Sequence, residues 1–162
     1  MPLRSPLVAA LLVALIATAS AAMEHGGATY LPSTADSKIV SVTPGGPADA
    51  GVTVLTQAIA IKESGPKETV DRFGEVYAFS PSVLIVHRDE ATAITFWNLQ
   101  PDDDHDFMLA DARGHVLMHQ ALPALKETAY VFTFHQEGLF TFYCTMHQPA
   151  MSGQIMVLPP AR

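Results

Sequence analysis

The residues best suited to chemistry in this chain lie in one short segment, Cys144-Thr-Met-His147-Gln-Pro-Ala-Met151. It holds the only cysteine of the sequence, a histidine three positions on, and a methionine four positions after that. Another histidine, His105, stands well upstream, just after the acidic run Asp102-Asp-Asp104. A thiolate, two imidazoles and a thioether together suit copper in both of its oxidation states. Soft sulfur favours the reduced ion and nitrogen the oxidised one, so such a centre carries one electron and does no bond chemistry. Singly, each residue has an ordinary explanation: a small buried hydrophobe, a solvated imidazole, a core thioether. Their joint occurrence on one loop favours a metal.

The elements that must position these groups are strands. Cys144 follows Phe140-Thr-Phe-Tyr143 directly, which places it at the end of a core-anchored strand. Pro149 stiffens the turn before Met151, and the Thr145 hydroxyl is free to fix the loop. Strand-like runs recur at Lys38–Thr43, Val52–Ile61, Val76–Phe79, Val83–Val86, Ala93–Trp97, Phe107–Leu109, Ala129–Phe134, Leu139–Tyr143 and Gly153–Leu158. Turn residues separate them, such as Pro44-Gly-Gly-Pro47 and Asp111-Ala-Arg-Gly114, and no helical period stands out. Tyr130, Phe132 and Phe134 share one strand face, and Phe140 and Phe142 another. This spacing predicts an all-β sandwich or barrel with the aromatics in its core. His115 and His119 lie between Gly114 and Pro123, on a loop or short strand, and are expected at the surface. His87 and His135 fall at turns and are expected to be solvated.

Residues 1–22 read as a secretory signal peptide. Arg4 opens it, Leu7 to Ala17 is apolar, and Ala19-Ser-Ala21 or Ser20-Ala-Ala22 supplies a small-residue cleavage site. The apolar run is too short to span a bilayer comfortably, and no later stretch is a candidate. The expectation is a soluble mature protein, periplasmic or secreted, with no membrane span after cleavage. Export gives the lone cysteine its meaning. Structural cysteines in oxidising compartments usually pair, and a free thiol there is prone to oxidation unless buried or metal-bound. Cleavage after Ala22 would leave Met23-Glu-His25 as the N-terminus, whose amine, amides and imidazole form a square-planar Cu(II) chelate; cleavage after Ala21 removes it.

Domain organisation follows from these signals. After the signal, residues 23–71 comprise a small, polar leader and N-terminal strands, and residues 72–162 form the copper-binding core. The formal charge is −7 with 15% charged residues, which argues against nucleic acid as a partner and for a partner with a basic docking face.

Residues 72–158 resemble the cupredoxin family. The first half of the resemblance is Phe79-Ser-Pro81, Val83-Leu-Ile-Val86, Ile94-Thr-Phe-Trp-Asn98 and then His105. The second is Gly138-Leu-Phe-Thr-Phe-Tyr-Cys144-Thr-Met-His147, with Met151 and Gly153-Gln-Ile-Met-Val157. The resemblance implies a Greek-key β-sandwich holding one copper ion, with His105, Cys144 and His147 as equatorial ligands and Met151 as the axial one. It implies a monomeric electron carrier whose redox partners are proteins such as a cytochrome or a copper enzyme. His147 would be the ligand that approaches the surface, among Met146, Pro149 and Ala150.

The sequence departs from the family pattern at two positions. Asp106 stands where the family often has an Asn that ties the two ligand loops together. Gln148 intervenes before Pro149, and it is a second candidate for the axial donor. A binuclear copper site needs two cysteines, and a trinuclear oxidase cluster needs His-x-His pairs; this chain has one cysteine and no such pair. Electron transfer without catalysis is therefore the expected activity. Copper storage or delivery is the alternative, drawn from Met108, Met118, Met146 and Met156.

Overall fold

The computed structural model describes residues 28–161. The signal peptide and His25 lie outside the described residues. Ten strands and two short helical turns follow one another in the order of the chain. A single 3-10 turn, Asp36–Lys38, precedes β1 (Val40–Thr43) and β2 (Ala50–Ala60). Helix α1 (Lys67–Phe73) comes next, then β3 (Val76–Ser80), β4 (Val83–His87), β5 (Thr92–Asn98) and β6 (His105–Ala110). The chain ends with β7 (Val116–Leu122), β8 (Glu127–Phe134), β9 (Gly138–Tyr143) and β10 (Ser152–Leu158).

The strands form two five-stranded sheets, β1-β8-β5-β2-β3 and β4-β10-β9-β6-β7. Pairing is antiparallel except between β2 and β5 and between β4 and β10. Burial alternates along the strands because successive side chains point to opposite faces. In β4, Leu84 and Val86 face inward while Val83 and Ile85 face solvent. In β5, Ile94 and Phe96 face inward. The two inner faces meet in one core, as packed sheets must to bury their apolar sides.

Aromatic pairs stitch the sheets together. Phe107 of β6 packs on Phe96 and Phe132 of the facing sheet and on Phe142 beside it. Phe79 meets Phe142, and Phe134 meets Phe140, across the interface. A fully buried phenylalanine contributes roughly 2–3 kcal/mol, so this cluster is a large part of what holds the sandwich. Gly153 belongs to the same design. A Cβ there would overlap the Phe142 ring and the Ser82 carbonyl oxygen. Only glycine lets β10 pass that close behind the strand that delivers Cys144.

Within residues 23–71, Tyr30 forms a backbone bridge with His119, and strand β2 lies between β5 and β3. The structure differs from the sequence expectations in three places. Helix α1 has only seven residues, too few to show a period in the sequence. The region around Met118 is a full strand, β7, paired along β6. His119 is buried at 3% exposure, not at the surface: it shares the outer face of the sheet with Asp106, and residues Ala28–Tyr30 lie over it.

Candidate metal centre

Three of the sequence candidates meet at one end of the sandwich. His105 is the first residue of β6, and Cys144 follows the last residue of β9. Strands β6 and β9 pair antiparallel, with Met108 opposite Tyr143, so the start of one lies beside the end of the other. His147 arrives from the loop that joins β9 to β10. Its Nδ1 is 3.1 Å from Nδ1 of His105 and 3.6 Å from Sγ of Cys144; Sγ to His105 Nδ1 is 4.0 Å.

These separations test whether a cation fits. An ion bonded at about 2.0–2.1 Å to nitrogen and about 2.3 Å to sulfur would hold three planar donors roughly 3.5–3.7 Å apart. The observed sides of the triangle bracket that range. Two imidazole nitrogens and a sulfur that face one another, rather than donors on other elements, make a set of lone pairs that a cation satisfies. His105 and Cys144 are buried, while His147 is only partly so.

Burial governs protonation here. It pushes His105 down to about 4, with the neighbouring His147 adding to the effect, so the ring is neutral at pH 7. Burial also lowers His147, against the opposing fields of Asp103, Asp106 and Glu75. Burial raises the Cys144 thiol to about 11. A metal entering this site would meet two neutral imidazoles and would displace the thiol proton.

The ligand loop is closed by its own backbone. Cys144 N–H donates to the Met151 carbonyl and Met151 N–H donates to the His147 carbonyl, both at 2.9 Å. Met151 is fully buried in the core cluster. Gln148, the other axial candidate, is exposed and lines an open cleft of about 650 Å³ between the loop and α1. His147 lines the same cleft, with Phe73, Glu75, Val76 and Met146.

Asp106, the residue after His105, presents its carboxylate to the loop that begins with Cys144. Its Oδ1 accepts the Thr145 N–H at 2.6 Å, and its Oδ2 accepts the Thr145 hydroxyl. The first-ligand strand therefore grips the residue that follows Cys144.

Two residues that had no assigned role in the sequence support the site. Tyr77 of β3 is 1% exposed, and its ring centroid lies 4.8 Å from that of His105 and 4.5 Å from that of His147. Its hydroxyl donates to Asp103 at 2.6 Å. Burial, then that carboxylate, holds the phenol well above its ordinary range. Asn98, buried at the end of β5, accepts from Thr56 and Gln100 and donates to the carbonyls of Asp103 and Leu122. It shapes the loop that leads into His105. The strand-ending Asn98 was visible in the sequence; no local pattern marked Tyr77.

No protein-family profile matches the chain, and no curated protein does. Solved structures do. Auracyanin B superposes with a TM-score of 0.54 at 14% identity, over 75% of this chain and 99% of that one. A multicopper oxidase superposes with a TM-score of 0.52 at 15% identity, over 70% of this chain and 45% of that one. The chain thus has a cupredoxin-like fold, an all-β sandwich with the loop from Cys144 to Met151 at one end. At these identities the likeness establishes architecture; the role of the loop rests on its own residues.

Proposed function

We propose that this chain is an exported mononuclear type 1 copper protein that passes single electrons between redox partners. The observation that carries the reading is the buried triangle of His105 Nδ1, His147 Nδ1 and Cys144 Sγ, with sides of 3.1, 3.6 and 4.0 Å. Its donor chemistry is that of a copper redox site. When bound, the copper ion supplies the one-electron couple. His105, Cys144 and His147 would hold the ion, with Met151 as the fourth donor. Met151 is buried where Gln148 is exposed, which favours the thioether.

The protein's part is to hold these groups still. His105 and Cys144 sit at the ends of paired strands, and Tyr77 packs on both imidazoles. Positions fixed this firmly limit reorganisation when charge changes. His147 is the ligand that reaches the cleft, so a partner docked there lies nearest its ring. Asp102 and Asp104 are exposed near this end, and Glu75 lines the cleft. This acidic rim suits the basic face of a redox protein such as a cytochrome or a copper enzyme. Among the described residues no helix is long and apolar enough to cross a membrane. With the signal-like residues 1–22, the reading places the mature protein in the periplasm or outside the cell.

The delivery alternative gains little from the fold. Met118 is buried in the core, Met156 lies on the outer face of β10, and Met146 is on the ligand loop. They form no common path. Electron transfer without catalysis is further supported by the single cysteine and the lack of His-x-His.

The test is to add Cu(II) to the purified protein and record its visible spectrum. An intense thiolate-to-copper band that bleaches reversibly on reduction is expected. Tight Cu(I) binding with no colour would favour delivery, and a protein that retains no copper would refute both. Met151→Leu should keep the band and raise the reduction potential.

A further inference from the structure

His119 takes no part in the ligand triangle, yet it is buried at 3% exposure on β7. Its two ring nitrogens face different parts of the molecule. Nδ1 lies 3.2 Å from the Ala28 carbonyl oxygen. Nε2 lies 3.3 Å from Asp106 Oδ2, off the line of a straight hydrogen bond. That same oxygen accepts the Thr145 hydroxyl, and Oδ1 accepts the Thr145 N–H. Thr145 is bonded directly to Cys144. A continuous chain of contacts therefore runs from the N-terminal segment, through His119 and Asp106, to the residue after the thiolate.

The segment Ala28–Tyr30 is built to hold that imidazole. Tyr30 and His119 exchange backbone hydrogen bonds, N–H to carbonyl at 2.9 Å and the reverse at 3.0 Å. The Tyr30 ring stands 6.2 Å from the imidazole, centroid to centroid. Thr29 Oγ1 accepts the Ala121 N–H at 3.3 Å. These contacts cover the free edge of β7, the last strand of its sheet. They also close the imidazole off from water, so His119 and Asp106 sit together out of solvent, where each polar contact counts for more.

We propose that His119 is a positioning residue for the metal centre: it keeps the Asp106 carboxylate in the rotamer that braces Thr145, and the segment Ala28–Tyr30 keeps His119 in place. Without it, one carboxylate oxygen loses its neighbour on the far side. The side chain is then free to turn, and the loop carrying Cys144 loosens. A side chain that holds a ligand's neighbour in place orients that ligand without touching the ion. The inference rests on the copper reading for its spectroscopic consequence. Its mechanical consequence, a loosened Cys144, needs no metal.

The test uses His119→Phe, which keeps a ring, and His119→Gln, which keeps polar atoms toward Ala28 and Asp106. In the copper-free full chain, the rate at which a thiol reagent such as dithionitrobenzoate reacts with Cys144 is measured. It should rise by about tenfold in His119→Phe, the factor equivalent to losing about 1.4 kcal/mol of bracing. His119→Gln should lie closer to the unmutated protein. In copper-loaded protein the charge-transfer maximum and reduction potential should shift in the same order. A rate, band and potential unchanged in His119→Phe would overturn the proposal, even if its melting temperature falls. Equal effects of Phe and Gln would overturn it too, because bulk alone would then explain them. If His119→Phe does not fold, Tyr30→Ala at the exposed strap reports the same thiol rate, and no acceleration there refutes the proposal. Failure of the unmutated protein to take copper refutes the electron-transfer reading and leaves the thiol measurement standing.

Discussion

Histidine does opposite work at the two ends of this sandwich. Strand β9 runs between them, from the turn that holds His135 to the loop that begins with Cys144. At the first end, His135 Nε2 is 2.9 Å from Ser41 Oγ and Nδ1 is 2.9 Å from Asp89 Oδ1. Serine, histidine and aspartate in that order resemble a nucleophilic relay. Yet Asp89 is 55% exposed, and the Ser41 hydroxyl is also 3.2 Å from the Ser37 carbonyl. The group is satisfied and wet, which describes a surface hydrogen-bond chain. At the second end, His105 and His147 turn toward each other and toward sulfur, His105 buried and His147 at the edge of the cleft. What marks a site is not the residue types but whether their polar atoms are left facing one another without donors.

Cys144→Ser breaks the contrast most completely. The thiolate-to-copper band should vanish, and colour that survives would refute the ligand assignment. Next comes Tyr77→Ala. Removing a buried aromatic costs about 3–5 kcal/mol of stability, read by denaturant unfolding of the copper-free protein. The same change should weaken copper retention, because both imidazoles lose their packing surface. Gly153→Ala should cost about 1–3 kcal/mol through overlap with Phe142 and Ser82, with a melting temperature as the readout.

Acid gives a sharper comparison than any mutation. The folded protein holds His105 neutral down to about 4, whereas an unfolded imidazole protonates near 6.5. Between those values the unfolded chain binds the extra proton, so stability falls as pH falls. Copper-free protein should lose about 3 kcal/mol between pH 7 and pH 4 from this group, measured by unfolding at each pH. Copper-loaded protein should lose less until the metal leaves. The smallest effect belongs to the other end. Ser41→Ala should change stability by about 0.5 kcal/mol or less and leave the copper spectrum untouched, as exposed substitutions do.

Strand positions were legible because their signal is local. The β-branched run in Val83-Leu-Ile-Val86 and the placing of Phe140 and Phe142 on one face of Leu139-Phe-Thr-Phe-Tyr143 need no partner to be seen. Strand β7 was not legible as a full strand, since Met118-His119-Gln120 mixes apolar and polar types on a strand whose inner face takes Gln120 and whose outer face is covered at His119. His119 was misjudged for the same reason: a polar residue reads as exposed until a buried partner such as Asp106 is known. Helix α1, which walls the cleft beside His147, was too short to announce itself.

The sequence by itself determined the donor types, their loop, the single unpaired cysteine and the β character of the scaffold. These depend on composition and on spacing along a few residues. Tertiary structure decided how closely His105 approaches Cys144 and His147, that Tyr77 packs on both rings, and that Asp106 and His119 brace Thr145. Each of those is a contact between strands distant in the chain. A one-residue slip in register would turn every such side chain to the opposite face, so only the assembled sheets fix them.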